Sequence, residues 1–81
     1  MRWMKLDQVV CISQAQADER PLKFRRGADW VEVEKVLETW IEGGTISDAP
    51  VFRIFRLDCP LGRSRLRVAL DGWCWELAVE D

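Results

Sequence analysis

Residues 63–80, RSRLRVALDGWCWELAVE, carry the strongest fold signal in the chain. Asp71-Gly72 suits a two-residue hairpin turn, because Gly reaches the positive φ such turns require. Folding the stretch about that dipeptide sets Leu70 opposite Trp73, Val68 opposite Trp75, Leu66 opposite Leu77 and Ser64 opposite Val79, one apolar face that reads as core. The other face pairs Ala69 with Cys74, Arg67 with Glu76, Arg65 with Ala78 and Arg63 with Glu80, and its opposite charges read as a solvated side. A slip of one residue would destroy both regularities together.

Working back from the hairpin, VFRIFRL (51–57) and the turn DCPLG (58–62) make the last third a β-meander. Further upstream, PLKFRRGADWVEV (21–33) reads as a second hairpin turning at Gly27-Ala28. Its register puts Arg25 opposite Trp30, Phe24 opposite Val31, Lys23 opposite Glu32 and Leu22 opposite Val33, with Leu22, Phe24, Val31 and Val33 on one face. KLDQVVCI (5–12) is rich enough in β-branched residues for a strand, at a sheet edge, and SQAQADER (13–20) reads as a loop.

From Val33 the period changes. Val33, Val36, Leu37, Trp40 and Ile41 fall at helical spacing, and Gly43-Gly44 follows where a helix commonly ends. The spacing predicts a short amphipathic helix over 34–42; its weak points are the β-branched Val33, Val36, Thr39 and Ile41 and the missing N-cap, and the rival reading is a single helical turn flanked by extended chain. The expected fold is mainly β (α+β): a small twisted antiparallel sheet, or an open SH3-like barrel, of five or six strands with that one helix packed over an end. Trp40, Ile41, Leu66, Val68, Trp73, Trp75 and Leu77 are the expected core.

With 81 residues the chain has room for one domain, 1–81, and its five Trp and three Phe supply a core without disulfide or metal. Twelve basic residues against fourteen acidic give a net charge of -2, which is no polycation. Cys11, Cys59 and Cys74 match no zinc spacing, and there is no His to complete a mixed site, so neither metal nor cofactor is expected. An odd cysteine count behind a start with no apolar leader points to a cytoplasmic protein. No apolar run approaches the roughly 20 residues that span a bilayer, so no membrane role is expected. The lack of His, of a Ser-centred elbow and of a phosphate-cradling Gly loop argues against an enzyme.

Two surfaces invite a binding role. Arg63, Arg65 and Arg67 lie on one face, and Arg53 and Arg56 arrive from the preceding strand with Phe52 and Phe55 interleaved, as on nucleic-acid platforms. Glu76 and Glu80 opposite the arginines give the plainer explanation, a charged solvated face. Around the first hairpin, Arg20, Lys23, Arg25 and Arg26 surround Trp30, which is either a contact point or a cation–π pair closing the sheet. Cys59 and Cys74 lack a base to activate them and read as inert.

The order of Pro21, Phe24, Arg26-Gly27, Trp30, Val36-Leu37-x-x-Trp40, Gly44, the arginine-rich strands and Asp71 before Trp73 resembles a family of small uncharacterised bacterial proteins of unknown function. That family carries P-x-x-F-x-W-R-G, then V-L-x-x-W, then a closing D-x-W-x-L segment; the likeness covers residues 21–81, with Arg25 where the family has Trp and Thr45-Ile46 where it has an aromatic pair. The resemblance implies an accessory role, linked to DNA repair through neighbouring genes. The leading expectation is a non-enzymatic module binding another protein, or itself as a homodimer, through a sheet edge or the Trp30/Arg25 surface. The alternative is a nucleic-acid-binding accessory domain. The residues expected to bind are Arg25, Arg26, Trp30, Arg53, Phe55 and Arg65.

Overall fold

The computed structural model describes residues 2–13, 19–44, 49–70 and 74–80. Among these residues eight strands run in chain order: β1 (Met4–Lys5), β2 (Gln8–Ser13), β3 (Glu19–Arg26), β4 (Asp29–Glu32), β5 (Lys35–Gly43), β6 (Val51–Cys59), β7 (Gly62–Ala69) and β8 (Trp75–Val79). They form two open antiparallel sheets, one of five strands ordered β1-β8-β7-β6-β5 and one of three ordered β2-β3-β4. The mainly β class is therefore correct; the described residues hold eight strands where five or six were expected, arranged in two open sheets that do not close into a barrel.

The terminal ladder has the register that the alternation dictates: Ser64↔Val79, Arg65↔Ala78, Leu66↔Leu77, Arg67↔Glu76 and Val68↔Trp75. The Asp71-Gly72 turn and Trp73 lie outside the described residues. The first hairpin also pairs as read, Lys23↔Glu32, Phe24↔Val31 and Arg25↔Trp30, around Gly27 at φ 59°. The meander closes with Cys59↔Gly62 across Pro60 and Leu61.

Two bends carry the chain between sheets. Leu6 N donates to Trp75 O at 3.0 Å in the larger sheet, and the next amide, Asp7 N, donates to Arg25 O at 3.0 Å in the smaller. Val33 N donates to Leu22 O at 2.9 Å and Glu34 N to Asp58 O at 2.8 Å in the same manner. Strands that switch sheets this way form corners between packed layers. The bend at Leu6-Asp7 divides the single edge strand expected over 5–12 into β1 and β2, each of which is an edge.

Residues 34–42 are not helical; they lie in β5 and in the bend before it. The reason is a β-bulge. Val36 pairs with Leu57 and Glu38 with Arg56, which leaves Leu37 as an extra residue. The bulge shifts the phase of alternation, so the apolar positions 36, 37, 40 and 41 imitate helical spacing while the backbone stays extended, as their β-branched residues favour. Gly43 and Gly44 consequently end a strand. Gly43 has φ 102°, and a Cβ there would run into the Pro50 carbonyl oxygen, so no other residue fits without displacement.

The core lies between the sheets. Phe24 of β3 packs with Phe55, Leu57, Cys59, Leu66 and Leu77, and Met4, Leu6, Val9, Val31, Val33, Val36, Trp75 and Val79 close around them. Full burial of Phe24 contributes on the order of 1.5–3 kcal/mol. Ser64, also buried, donates from Oγ to Gly62 O at 3.2 Å, so its hydroxyl is not orphaned. Of the expected core, Leu66 and Leu77 are wholly buried and Val68 and Trp75 half-buried. Ile41 is 57% exposed on an edge strand, and Trp40 lies half-buried on the outer face, two corrections that follow from the bulge. A second bulge, where Val10 pairs with Lys23 but Cys11 with Pro21, displaces Leu22 from the ladder and leaves it 42% exposed. It also accommodates Pro21 within a central strand.

Candidate functional site

The arginine stripe stands on the outer face of the five-stranded sheet, away from the core, because Arg65 and Arg67 alternate with the buried Leu66 and Ser64. Its charges are already taken. Arg67 Nε donates to Glu76 Oε1 at 2.9 Å, Arg65 Nε to Glu80 Oε2 at 3.2 Å and Arg63 Nε to Asp58 Oδ1 at 3.0 Å. Arg56 Nε donates to Glu80 Oε2 at 2.9 Å and its Nη1 to Glu38 Oε1 at 3.3 Å. The expected Arg63–Glu80 register holds in the backbone, where Glu80 N donates to Arg63 O at 2.8 Å, but the side chains pair elsewhere: Arg63 turns to Asp58, opposite it on β6, and Glu80 serves Arg56 and Arg65.

Aromatic rings complete this layer. The Arg67 guanidinium carbon lies 4.2 Å from the Trp3 ring centroid and 4.4 Å from that of Phe52, and that of Arg65 lies 5.5 Å from Trp40. Trp40 Nε1 donates to Glu42 Oε2 at 3.1 Å. Ala78 and Ile54, both on this face by alternation, are buried beneath the side chains around them. The electrostatics follow from the contacts: hydrogen bonds from Arg56 and then Arg65 pull the Glu80 carboxyl down to about 2, and the bonds from Arg63 hold Asp58 below the usual carboxylate range. Glu80 and Asp58 in turn raise the guanidinium pKa values of Arg56 and Arg63. A phosphate approaching this face would have to displace carboxylates from guanidiniums, two of which, Arg65 and Arg67, also lie against rings.

The nucleic-acid set does not converge. Arg53 opposes Val68 and Arg56 opposes Arg65, so residues three apart on β6 point to opposite sides of the sheet. Phe55 is 3% exposed and stacks on Trp75 with centroids 6.0 Å apart, so its ring belongs to the core. Phe52, in contrast, joins the outer layer against Arg67. Arg53, Arg20, Thr39 and Phe55 instead border a cavity of about 150 Å³ with Val36, Leu37 and Glu38.

The residues of the first hairpin do come together. Trp30, on β4, is 45% exposed, with Lys23 Nζ 4.9 Å and the Arg25 guanidinium carbon 6.0 Å from its ring centroid. Arg25 is tied back by a 2.8 Å hydrogen bond from Nη1 to Gly27 O, and the turn itself is pinned by Gly27 N donating to Asp7 Oδ2 at 2.6 Å. Arg26 pairs with Asp29 along the ladder and borders a separate cleft of about 440 Å³ with Lys5, Asp7 and Leu61. Among the described residues no three of His, Cys, Asp and Glu gather in a metal-holding group, and no helix is long and apolar enough to cross a membrane.

Trp3 was missed by sequence reading, and Arg20, read there as part of the basic cluster around Trp30, borders the cavity beside Arg53 instead. Trp3 stands one residue before the two-residue strand β1, too short for a pattern, and Arg20 closes a segment whose composition is that of a loop. Comparison of the chain with family models, curated proteins and solved structures gave no match.

Proposed function

We propose that the chain is a non-enzymatic interaction module that binds another protein through the outer side of its three-stranded sheet, with Trp30 as the anchor. The observation that supports this reading is the 45% exposure of Trp30 between two cations, one of them fixed to the turn. Trp and Arg dominate binding hot spots, because a rigid indole fills a pocket with little loss of conformational freedom. The matching partner surface has an apolar pocket for the indole and carboxylates for Lys23 and Arg25. The reading places the protein in a reducing cytoplasm, which suits the thiols of Cys59 and Cys74.

The test is affinity capture with wild type and Trp30→Ala, each first shown by urea titration to be equally stable. A protein held by wild type and weakened about 30-fold or more by the substitution supports the proposal. A second copy of the chain lost in the same way from sedimentation analysis would make the partner the protein itself. Indistinguishable capture by the two proteins, together with a solitary monomer, would end the proposal.

A further inference from the structure

Arg53 is the exception among the arginines of the five-stranded sheet. Arg56, Arg63, Arg65 and Arg67 each hold a carboxylate, whereas Arg53 makes no hydrogen bond, ion pair or ring contact with a described residue. Arg20 makes none either. Leaving cations unpaired in a chain of net charge -2 is not a matter of too few acids. Strand alternation gives Arg53 the parity of Phe55 and Leu57, so it is aimed to the inner side of its sheet and is half-buried there. A half-buried, unpaired charge is unfavourable unless something supplies its counter-charge.

The two arginines border the same cavity of about 150 Å³. Thr39, on β5, adds a hydroxyl with no other bond among the described residues, and Val36, Leu37 and Phe55 give the cavity an apolar wall. The acid that also borders it, Glu38, has Oε1 engaged by Arg56 on the outer face at 3.3 Å, which directs its charge away. The volume is close to that of sites that hold one benzene-sized group.

We propose that this cavity binds an oxyanion, the phosphate or carboxylate group of a small ligand. The planar forks of Arg53 and Arg20 hold its oxygens, the Thr39 hydroxyl donates to it, and the apolar wall receives the adjoining carbon atoms. Guanidinium forks match both oxyanions, so the two share one chemistry. This site is separate from the Trp30 surface and does not rest on its role.

The test is a nuclear magnetic resonance titration of the intact chain with inorganic phosphate and, separately, acetate, against sodium chloride at matched ionic strength. Saturable shifts at the Thr39 and Arg53 amides and at the Arg20 and Arg53 Nε–H signals are expected. Arg53→Gln and Arg20→Gln are each expected to weaken binding about tenfold or more, while Arg2→Gln, at an exposed position beside the opposite edge strand β1, has no effect. Arg20 is exposed, so its substitution remains decisive where Arg53→Gln impairs folding. Tighter binding of phosphate assigns a phosphoryl ligand, and tighter binding of acetate a carboxylate. Shifts reproduced by chloride, or left unchanged by Arg20→Gln, would overturn the proposal.

Discussion

Arg56 grips Glu80 with two parallel hydrogen bonds, Nε to Oε2 at 2.9 Å and Nη2 to Oε1 at 3.0 Å, across the intervening strand β7. The ladder sets Arg56 directly opposite Arg65, a like-charged pair that would repel if left alone. Glu80 lies against both and turns the repulsion into a three-member cluster.

That cluster sets an acid limit. A free Glu carboxyl takes its proton near 4.5, whereas Glu80 in the folded chain takes it only at about 2. Between those values the unfolded chain binds the proton first, so stability is full above pH 4.5 and is lost as pH falls toward 2. Glu80→Gln is expected to lower the melting temperature at neutral pH and to flatten its decline over this window. The Asp58–Arg63 pair, shifted in the same direction, preserves part of the slope. Thermal melts from pH 7 downward check this, and identical slopes for the two proteins would refute it.

Gly43 and Gly27 offer a controlled comparison. Both have positive φ, but a Cβ at Gly27 meets nothing within 4 Å while one at Gly43 meets the Pro50 carbonyl. Gly27→Ala is expected to cost about 1–2 kcal/mol, the conformational penalty alone. Gly43→Ala should cost clearly more, because backbone must move as well. Urea denaturation of the two variants gives the order directly.

Phe24 is the wholly buried side chain that the three-stranded sheet contributes to the central cluster. Phe24→Ala is expected to cost about 3–5 kcal/mol, through lost burial and the cavity left behind. In a domain of this size that is much of the total stability, so partial unfolding at 25 °C should be visible by circular dichroism. The wild-type spectrum itself should be that of strand, without a helical signature.

The Arg67 guanidinium between Trp3 and Phe52 ties β1 to the middle of the sheet. A double-mutant cycle with Trp3→Leu and Arg67→Met should give a coupling of about 0.5–2 kcal/mol. A coupling indistinguishable from zero would show the stacking to be incidental.

The parts of the fold legible in the sequence are those where alternation runs unbroken. The β7–β8 register follows from Leu66, Val68, Trp75 and Leu77, and the β3–β4 register from Phe24 opposite Val31. Legibility fails at the two bulges: one extra residue at Leu37 makes an edge strand read as a helix, and one at Leu22 puts an apolar side chain outside. The grouping of Trp30 with Arg25 needed only the hairpin register. That Arg53 and Arg56 lie on opposite faces was also present in the sequence, since an odd spacing on a strand changes sides. The partnership of Glu80 with Arg56 was not, because it spans 24 residues and a strand between.

The pairing of Met4 with Leu77 has a consequence for the timing of synthesis. A ribosome delivers the N-terminal end first, so residues 8–32 can assemble the whole three-stranded sheet while much of the chain is still unmade. Met4 and Lys5 leave the tunnel earlier still, yet β8 does not exist until residues 75–79 have been made. Trp3 therefore waits, its indole without the guanidinium that will cover it, until the chain has been made past Arg67 and β8. Closure of that edge cannot precede the synthesis of β8, and any factor that meets the nascent protein before then meets it with β1 still open.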